Sequence, residues 1–331
     1  MRIVVDAHGG DHAPLEIIKG CCLAIKELQD VSILLVGRKN ELQQIIADNG
    51  LPTNGIEIID APDVLTMEDD PTSVLKEKQY SSMAVAFRTL KEDKADAFVS
   101  AGNSGAILVG ATLLIKRIRG IKRAALGAVM PSIEGPYILL DCGANVECKP
   151  EYLDQFATMG SIYMQSCLQI ENPRVGLLNN GTEECKGPEL QQQAHQLMKK
   201  NPNINFIGNI EGREVPLGGC DVIVADGFSG NVTLKVSEGW GKFISLSLNG
   251  MFRKSLKTKL AYLLLKGQVN VFRQKMNYKE YGGAPLLGVT KPVIKAHGSS
   301  DAIAFKNAIR QAQKFAESGM IRQIEDSLKT E

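Results

Sequence analysis

The feature that most constrains this chain is its alternation of short β-branched runs with longer stretches of helical period. That pattern favours parallel strands joined by crossover helices, which places the chain in the α/β class. Strands are expected at 3–5, 33–36, 56–59, 97–99, 125–129, 138–140, 175–177, 206–207 and 222–224. Helices are expected at 14–28, 40–48, 81–92, 104–115, 150–168, 188–199, 231–248 and 300–318. The first of these carries Pro14 near its opening turn, where a missing N–H costs nothing, and an apolar face of Ile17, Ile18, Cys21, Leu23, Ala24 and Ile25.

Composition narrows the class further. With 44% hydrophobic and 23% charged residues, the 331-residue chain reads as a soluble globular protein able to bury a large core. Its 38 Lys plus Arg against 37 Asp plus Glu leave a net charge of +1, no global excess for binding nucleic acid. Residues 1–331 are read as one catalytic unit, either a large domain or two lobes around a cleft. The seven cysteines form no CxxC pair or zinc spacing, so reduced thiols and a cytoplasmic protein are expected. The N-terminus lacks the pattern of a secretory signal. The apolar stretch 106–115 is about half of the ~20 residues a membrane span needs.

Five loops that follow strands share a polar, Gly-containing composition: 6–14, 100–106, 141–145, 179–182 and 225–231. In an open parallel sheet, ligands bind beyond the carboxyl ends of the strands, so all five are expected along one sheet edge. Glycine lets backbone approach a ligand closely, and the first-turn amides of a helix point at an anion. The same residues are also ordinary turn and N-cap formers; repetition is what favours a phosphate cradle. No GxxxxGK[ST] or GxGxxG motif is present, which points to a small anion.

Asp6, Asp141 and Asp226 each end a strand, where a carboxylate more often caps a helix or bonds its own loop than ligates a metal. His12 is the histidine best placed to contact an anion or move a proton, or else makes a loop hydrogen bond. His8 belongs to the same loop, His195 reads as a helix-surface residue, and His297 precedes the C-terminal helix. Residues 251–279 carry eight basic residues (Arg253, Lys254, Lys257, Lys259, Lys266, Arg273, Lys275, Lys279) and no acidic one, with an apolar cluster at 260–265. Two readings stand for this segment. It is a helical hairpin packed on the body or a dimer mate, or it is a surface that meets anionic lipid or an acidic protein.

Taken together, DAHGGDHAP at 6–14, SAGNSGA at 100–106, DCGAN at 141–145, NNGTEECKG at 179–187, DGFSGN at 226–231 and IKAHGSSD at 294–301 closely resemble the bacterial phosphate acyltransferases of phospholipid synthesis, the PlsX family. The likeness runs in order through nearly the whole chain. It implies transfer of a fatty acyl group from acyl carrier protein to inorganic phosphate. The acyl phosphate so formed then serves a membrane glycerol 3-phosphate acyltransferase.

The resemblance also implies a three-layer αβα sandwich with a mostly parallel sheet, like phosphate acetyltransferase and isopropylmalate dehydrogenase, with a helical protrusion near 250–280. It implies a homodimer at an anionic membrane surface and needs neither cofactor nor metal. By this likeness Gly9, Gly10, Asn103, Ser104 and Gly105 bind phosphate, and Asp11, His12, Lys186 and Asn231 take part in the reaction. Asp6, Asp141, Asn145, Asn179, Asn180 and Asp226 would orient substrates. Arg253, Lys254, Lys257, Lys259, Leu260, Leu263 and Leu264 would meet the membrane or the carrier protein.

Two positions depart from the family's pattern: His8 stands where Met is expected and Ser104 where Thr is commoner. Ser104 keeps the hydroxyl, whereas His8 either adds a proton donor or replaces a packing side chain. Direct attack by phosphate needs no acyl-enzyme, in keeping with the lack of a GxSxG signature. The rival readings are an isopropylmalate-like dehydrogenase using a nicotinamide cofactor and a divalent metal, and a non-catalytic scaffold for lipid or acyl carrier protein.

Overall fold

All nine β-branched runs become strands in the computed structural model, which describes residues 1–275 and 281–329. In chain order the elements begin β1 (Arg2–Asp6), α1 (Leu15–Glu27), β2 (Ser32–Gly37), α2 (Lys39–Asp48), β3 (Ile56–Asp60), α3 (Ser82–Lys91), β4 (Ala97–Ser100) and α4 (Ser104–Gly110). A π-turn at Ala111–Ile115 extends α4. There follow β5 (Ala125–Pro131), β6 (Pro136–Leu140), α5 (Pro150–Leu168), β7 (Arg174–Asn179), α6 (Glu189–Lys200), β8 (Asn205–Glu211) and β9 (Val222–Val224). The chain continues through α7 (Gly227–Arg253), α8 (Leu256–Lys275), β10 (Ala284–Leu287), β11 (Val293–Lys295), α9 (Ala302–Glu317) and α10 (Met320–Ser327).

The described strands form one 11-stranded sheet in the order β3-β2-β1-β4-β11-β10-β5-β6-β9-β7-β8. Most pairings are parallel, and helices cover both faces, so strand residues are buried on both sides. Ile3 and Val5 of β1 pack with Ile17, Ile18 and Phe305 on one face, and Val4 packs with Phe87 and Phe98 on the other. Phe87 and Phe98 stack with ring centroids 4.1 Å apart. The result is the expected three-layer sandwich.

The centre of the sheet departs from the expected topology. Strand β10 is antiparallel to β11 and to β5, and β5 is antiparallel to β6. These three reversals turn β6, β9, β7 and β8 against β1, β4 and β11. The loops after β1 and β4 therefore leave one end of the sheet, and those after β6, β9 and β7 leave the other. Strands β5 and β10 pair only through Leu126–Leu286 and Ala125–Leu287. Beyond Leu126 they part, and a cleft opens between them.

Helix α7 begins earlier and ends later than its sequence suggests. Only Gly227 and Gly230 of its 27 residues are buried; Leu234 still packs against the core, and beyond Glu238, which lines the cleft, the helix leaves the body and, with α8, forms a projecting hairpin. Tyr262 holds the pair together by packing against Phe252 and under the guanidinium of Arg273. Residues 276–280, which include Lys279 and the end of the expected protrusion, lie outside the described residues. No helix among the described residues is long and apolar enough to cross a membrane.

Candidate active site

The cleft between the parted strands has a volume of about 280 Å³. One wall is β5, through Leu126, Ala128, Val129 and Met130; the facing wall is Gly282, Gly283, Ala284 and Lys295. The first turns of α7 line it with Asn231, Leu234, Lys235 and Glu238. Ser104, Cys142, Gly143 and His297 complete the lining, so loops from both ends of the sheet contribute. Apolar carbon covers the β5 side, and two ammonium groups converge with one carboxylate on the other.

Lys295 ends β11 beside Ser100 of β4. Burial lowers its pKa, the Lys235 ammonium lowers it further, and Glu238 and Asp11 push it back up. Two cations that disfavour each other in a half-dry cleft gain from an anion between them. Lys235 leans on Glu238, with Nζ 2.9 Å from Oε2. Burial, with Asp141 nearby, pushes the Cys142 thiol well above its usual value, so this lining cysteine stays protonated and is a poor nucleophile.

Of the residues expected to hold phosphate, Ser104 lines the cleft; Gly9, Gly10, Asn103 and Gly105 do not. Gly9 is closed against the β4 loop: a Cβ there would stand 2.6 Å from the Gly102 nitrogen and 2.7 Å from Ser100 Oγ. Gly10 has φ +105°, and the following Asp11 N–H donates to Gly298 O at 2.8 Å. Asn103 caps α4 by accepting from the Ala106 N–H, and its amide donates to Met67 O. A Cβ at Gly105 would meet Pro71. This loop is thus a framework that presents Ser104. Asp11 and His12 are exposed at its rim, where Asp11 reaches the cleft through its field on Lys295.

The three strand-end aspartates pin the loops. Asp6, buried, accepts from Ser82 Oγ at 2.5 Å, Ser100 Oγ at 2.7 Å and the His8 N–H at 3.2 Å. Asp141, fully buried, accepts from the backbone of Leu126, Ala144 and Asn145 and from the Asn145 side chain. Burial raises its pKa, and those four donors oppose the rise. Asp226 caps α7 by accepting from the Phe228 and Ser229 N–H groups. Asn145 also donates to Ala124 O, so its amide joins β6 to β5 instead of facing the cleft. Asn231 does reach the lining, packed over Gly143, which needs its φ of +112°.

Strand order places Asn179, Asn180 and Lys186 elsewhere, because β7 lies on the far side of β9 from the cleft. Asn179 donates to Lys186 O and accepts from the Asn180 N–H, which closes the β7–α6 loop on itself outside the cleft lining. A larger hollow of about 660 Å³ lies beside that loop, but Glu151, Glu184 and Glu189 line it, a poor setting for an anion. His195 is not a surface residue. It falls on the inward face of α6 with Ala194 and Met198, is 3% exposed, and sits 3.0 Å from Asn209 Oδ1 through Nδ1. His8 turns away from the cleft: its Nε2 accepts from the Arg38 N–H at 3.1 Å, and burial lowers its pKa.

Sequence reasoning missed Lys235, Glu238 and Lys295. A lysine ending a short strand just before His297-Gly298 was the available signal for Lys295. Lys235 and Glu238 follow Asn231 by one and two helical turns, and that spacing could have shown them.

Residues 1–323 match the family model described as fatty acid synthesis protein. A phosphate acyltransferase of Acetivibrio thermocellus is 47% identical over 324 residues, covering 98% of this chain and 95% of that one. Another from Clostridium novyi is 45% identical over 328 residues, covering 99% and 98%. Among solved structures, the EutD phosphotransacetylase from Staphylococcus aureus has a TM-score of 0.64 at 16% identity, and a phosphotransacetylase from Streptococcus pyogenes has 0.64 at 17%. Each comparison covers 96% of this chain and 94% of the other and shows a shared fold. The dehydrogenase and scaffold alternatives give way to these likenesses, and the chain belongs to the fatty acid synthesis protein family of phosphate acyltransferases.

Proposed function

We propose that the chain transfers a fatty acyl group from acyl carrier protein to orthophosphate, with the chemistry in the cleft between β5 and β10. The observation that carries this reading is the convergence of Lys235 and Lys295 opposite an apolar wall. Phosphate sits between the two ammonium groups, with the Ser104 hydroxyl and the Asn231 amide as further donors. The acyl segment next to the thioester lies along Leu126, Ala128, Met130 and Leu234. A phosphate oxygen attacks the carbonyl carbon, a C–O bond forms, the C–S bond breaks, and the carrier leaves as thiolate. A thiol with pKa near ~8.5 is a good leaving group, so positioning and oxyanion stabilisation supply most of the rate.

Within this reading Asp11 tunes Lys295 from the rim, His12 guards the entrance, and Lys186 meets the carrier from the β7–α6 loop. The basic hairpin favours encounter with an acidic carrier protein and an anionic membrane surface, where the product passes to a membrane glycerol 3-phosphate acyltransferase. Val232, Val236, Trp240 and Phe243 form an exposed apolar stripe on α7, which suits a homodimer. The test mixes the protein with an acyl-carrier thioester, with and without phosphate, and follows thiol release and a hydroxylamine-trappable product. Both should require phosphate; thiol release that ignores phosphate would mark a hydrolase.

A further inference from the structure

Glu238 is a carboxylate in a cleft read here as an anion site, and that placement needs a reason. Its side chain is 17% exposed against 53% for Lys235, so it is the more enclosed member of the pair. It faces the same volume as Lys235 and Lys295. A fixed negative charge there opposes every anion that enters. Its i,i+3 pair with Lys235 is weak, and its field supports the charge on Lys295, but neither contact distinguishes one entering anion from another.

Orthophosphate at neutral pH keeps at least one P–OH proton. Sulfate has the same tetrahedral shape and the same charge as hydrogen phosphate but no proton to donate. Two lysines attract both ions alike. An ionised carboxylate, which only accepts hydrogen bonds, separates them, because it can bond a P–OH and can only repel a bare sulfate oxygen.

Resting on the proposed function of this cleft, we propose that Glu238 is the specificity-determining residue that accepts the hydroxyl proton of hydrogen phosphate and rejects fully deprotonated oxyanions. The unprotonated oxygens face Lys235 and Lys295, and one of them attacks the thioester. The P–OH stays on Glu238 and is retained in the acyl phosphate, so the step needs no further proton acceptor.

The test compares wild type with Glu238→Gln and Glu238→Asp, measuring the KM for phosphate, the inhibition constant for sulfate, and the binding of each ion to the free enzyme by calorimetry. Losing a charged hydrogen bond is worth about 1.5–3 kcal/mol, so the preference for phosphate over sulfate should fall about 10- to 100-fold in Glu238→Gln. Sulfate should bind tighter, and Glu238→Asp should keep part of the preference. Lys235→Met serves as the contrast, weakening both ions together. An unchanged preference in Glu238→Gln, or a loss of both ions in parallel as in Lys235→Met, overturns the proposal. Failure of the proposed function would look different: wild type would then release thiol without phosphate, whatever the ion preference.

Discussion

The strand-end loops and the α7–α8 hairpin settle their awkward residues by opposite means. In the loops, Asp6 and Asp141 are buried and every carboxylate oxygen has a donor. In the hairpin, Trp240, Phe243, Leu260, Leu263 and Leu264 stand between 59% and 77% exposed, with no body packing beneath them. Buried polar groups and bare apolar groups are both costly unless answered, and here the first are answered inside the chain. The lesson is that the loops are finished by folding, whereas the hairpin is finished by what it meets.

The sharpest way to break this contrast is Asp141→Ala. It strips the acceptor from four donors in a buried loop and should destabilise the fold by about 3–5 kcal/mol, read from a denaturant midpoint. A loss under about 1 kcal/mol would show that the loop is held by something else. Next comes Lys295→Met, which removes one of the two converging cations. Acyl phosphate formation should fall about 100-fold with the melting temperature unchanged or higher, because a half-buried ammonium no longer has to be desolvated.

A smaller effect is expected from the hairpin. Leu263→Glu should leave stability within about 0.5 kcal/mol while reducing sedimentation with anionic vesicles about tenfold. Equal binding of both proteins would remove the membrane from the account.

The smallest effect concerns His8. Its folded pKa lies below the ordinary 6.5 because burial disfavours the imidazolium. Between the two values the unfolded chain binds more protons, so stability rises with pH across that window. This contribution is complete above pH 6.5 and is lost as pH falls below it. His8→Gln, which can still accept from Arg38, should flatten the acid-side decline in melting temperature below pH 6.5.

Much of the scaffold was legible because strands buried on both faces are written as β-branched runs, such as Ile33 to Val36. What was not legible came from pairing. The segment Gly282-Gly283-Ala284-Pro285-Leu286-Leu287 has two glycines, a proline and no period-2 pattern, so nothing local marks β10 as a strand. Tertiary contact makes it one, and with it comes the division of the sheet that sets β4 and β11 on one side of the cleft and β5, β6 and β9 on the other. Loop composition does not carry strand order, so it grouped Asn179, Asn180 and Lys186, whose strand lies beyond β9, with Ser104. Lys295 was overlooked because β11 is only three residues long. His195 was misjudged for a similar reason: its burial depends on Phe206 and Asn209, which arrive from β8.

Helix α7 carries Asn231, Lys235 and Glu238 on its first turns and Trp240 and Phe243 directly after them. At about 1.5 Å of rise per residue, Glu238 and Trp240 are roughly 3 Å apart along the axis. Around the axis, however, the two residues are about 200° apart, so the cleft side and the apolar side of α7 are opposite faces of one rod. Whatever covers the indole therefore touches the reaction chamber only by steadying the whole helix, and quaternary structure and substrate contact are set by separate sets of side chains on a shared backbone.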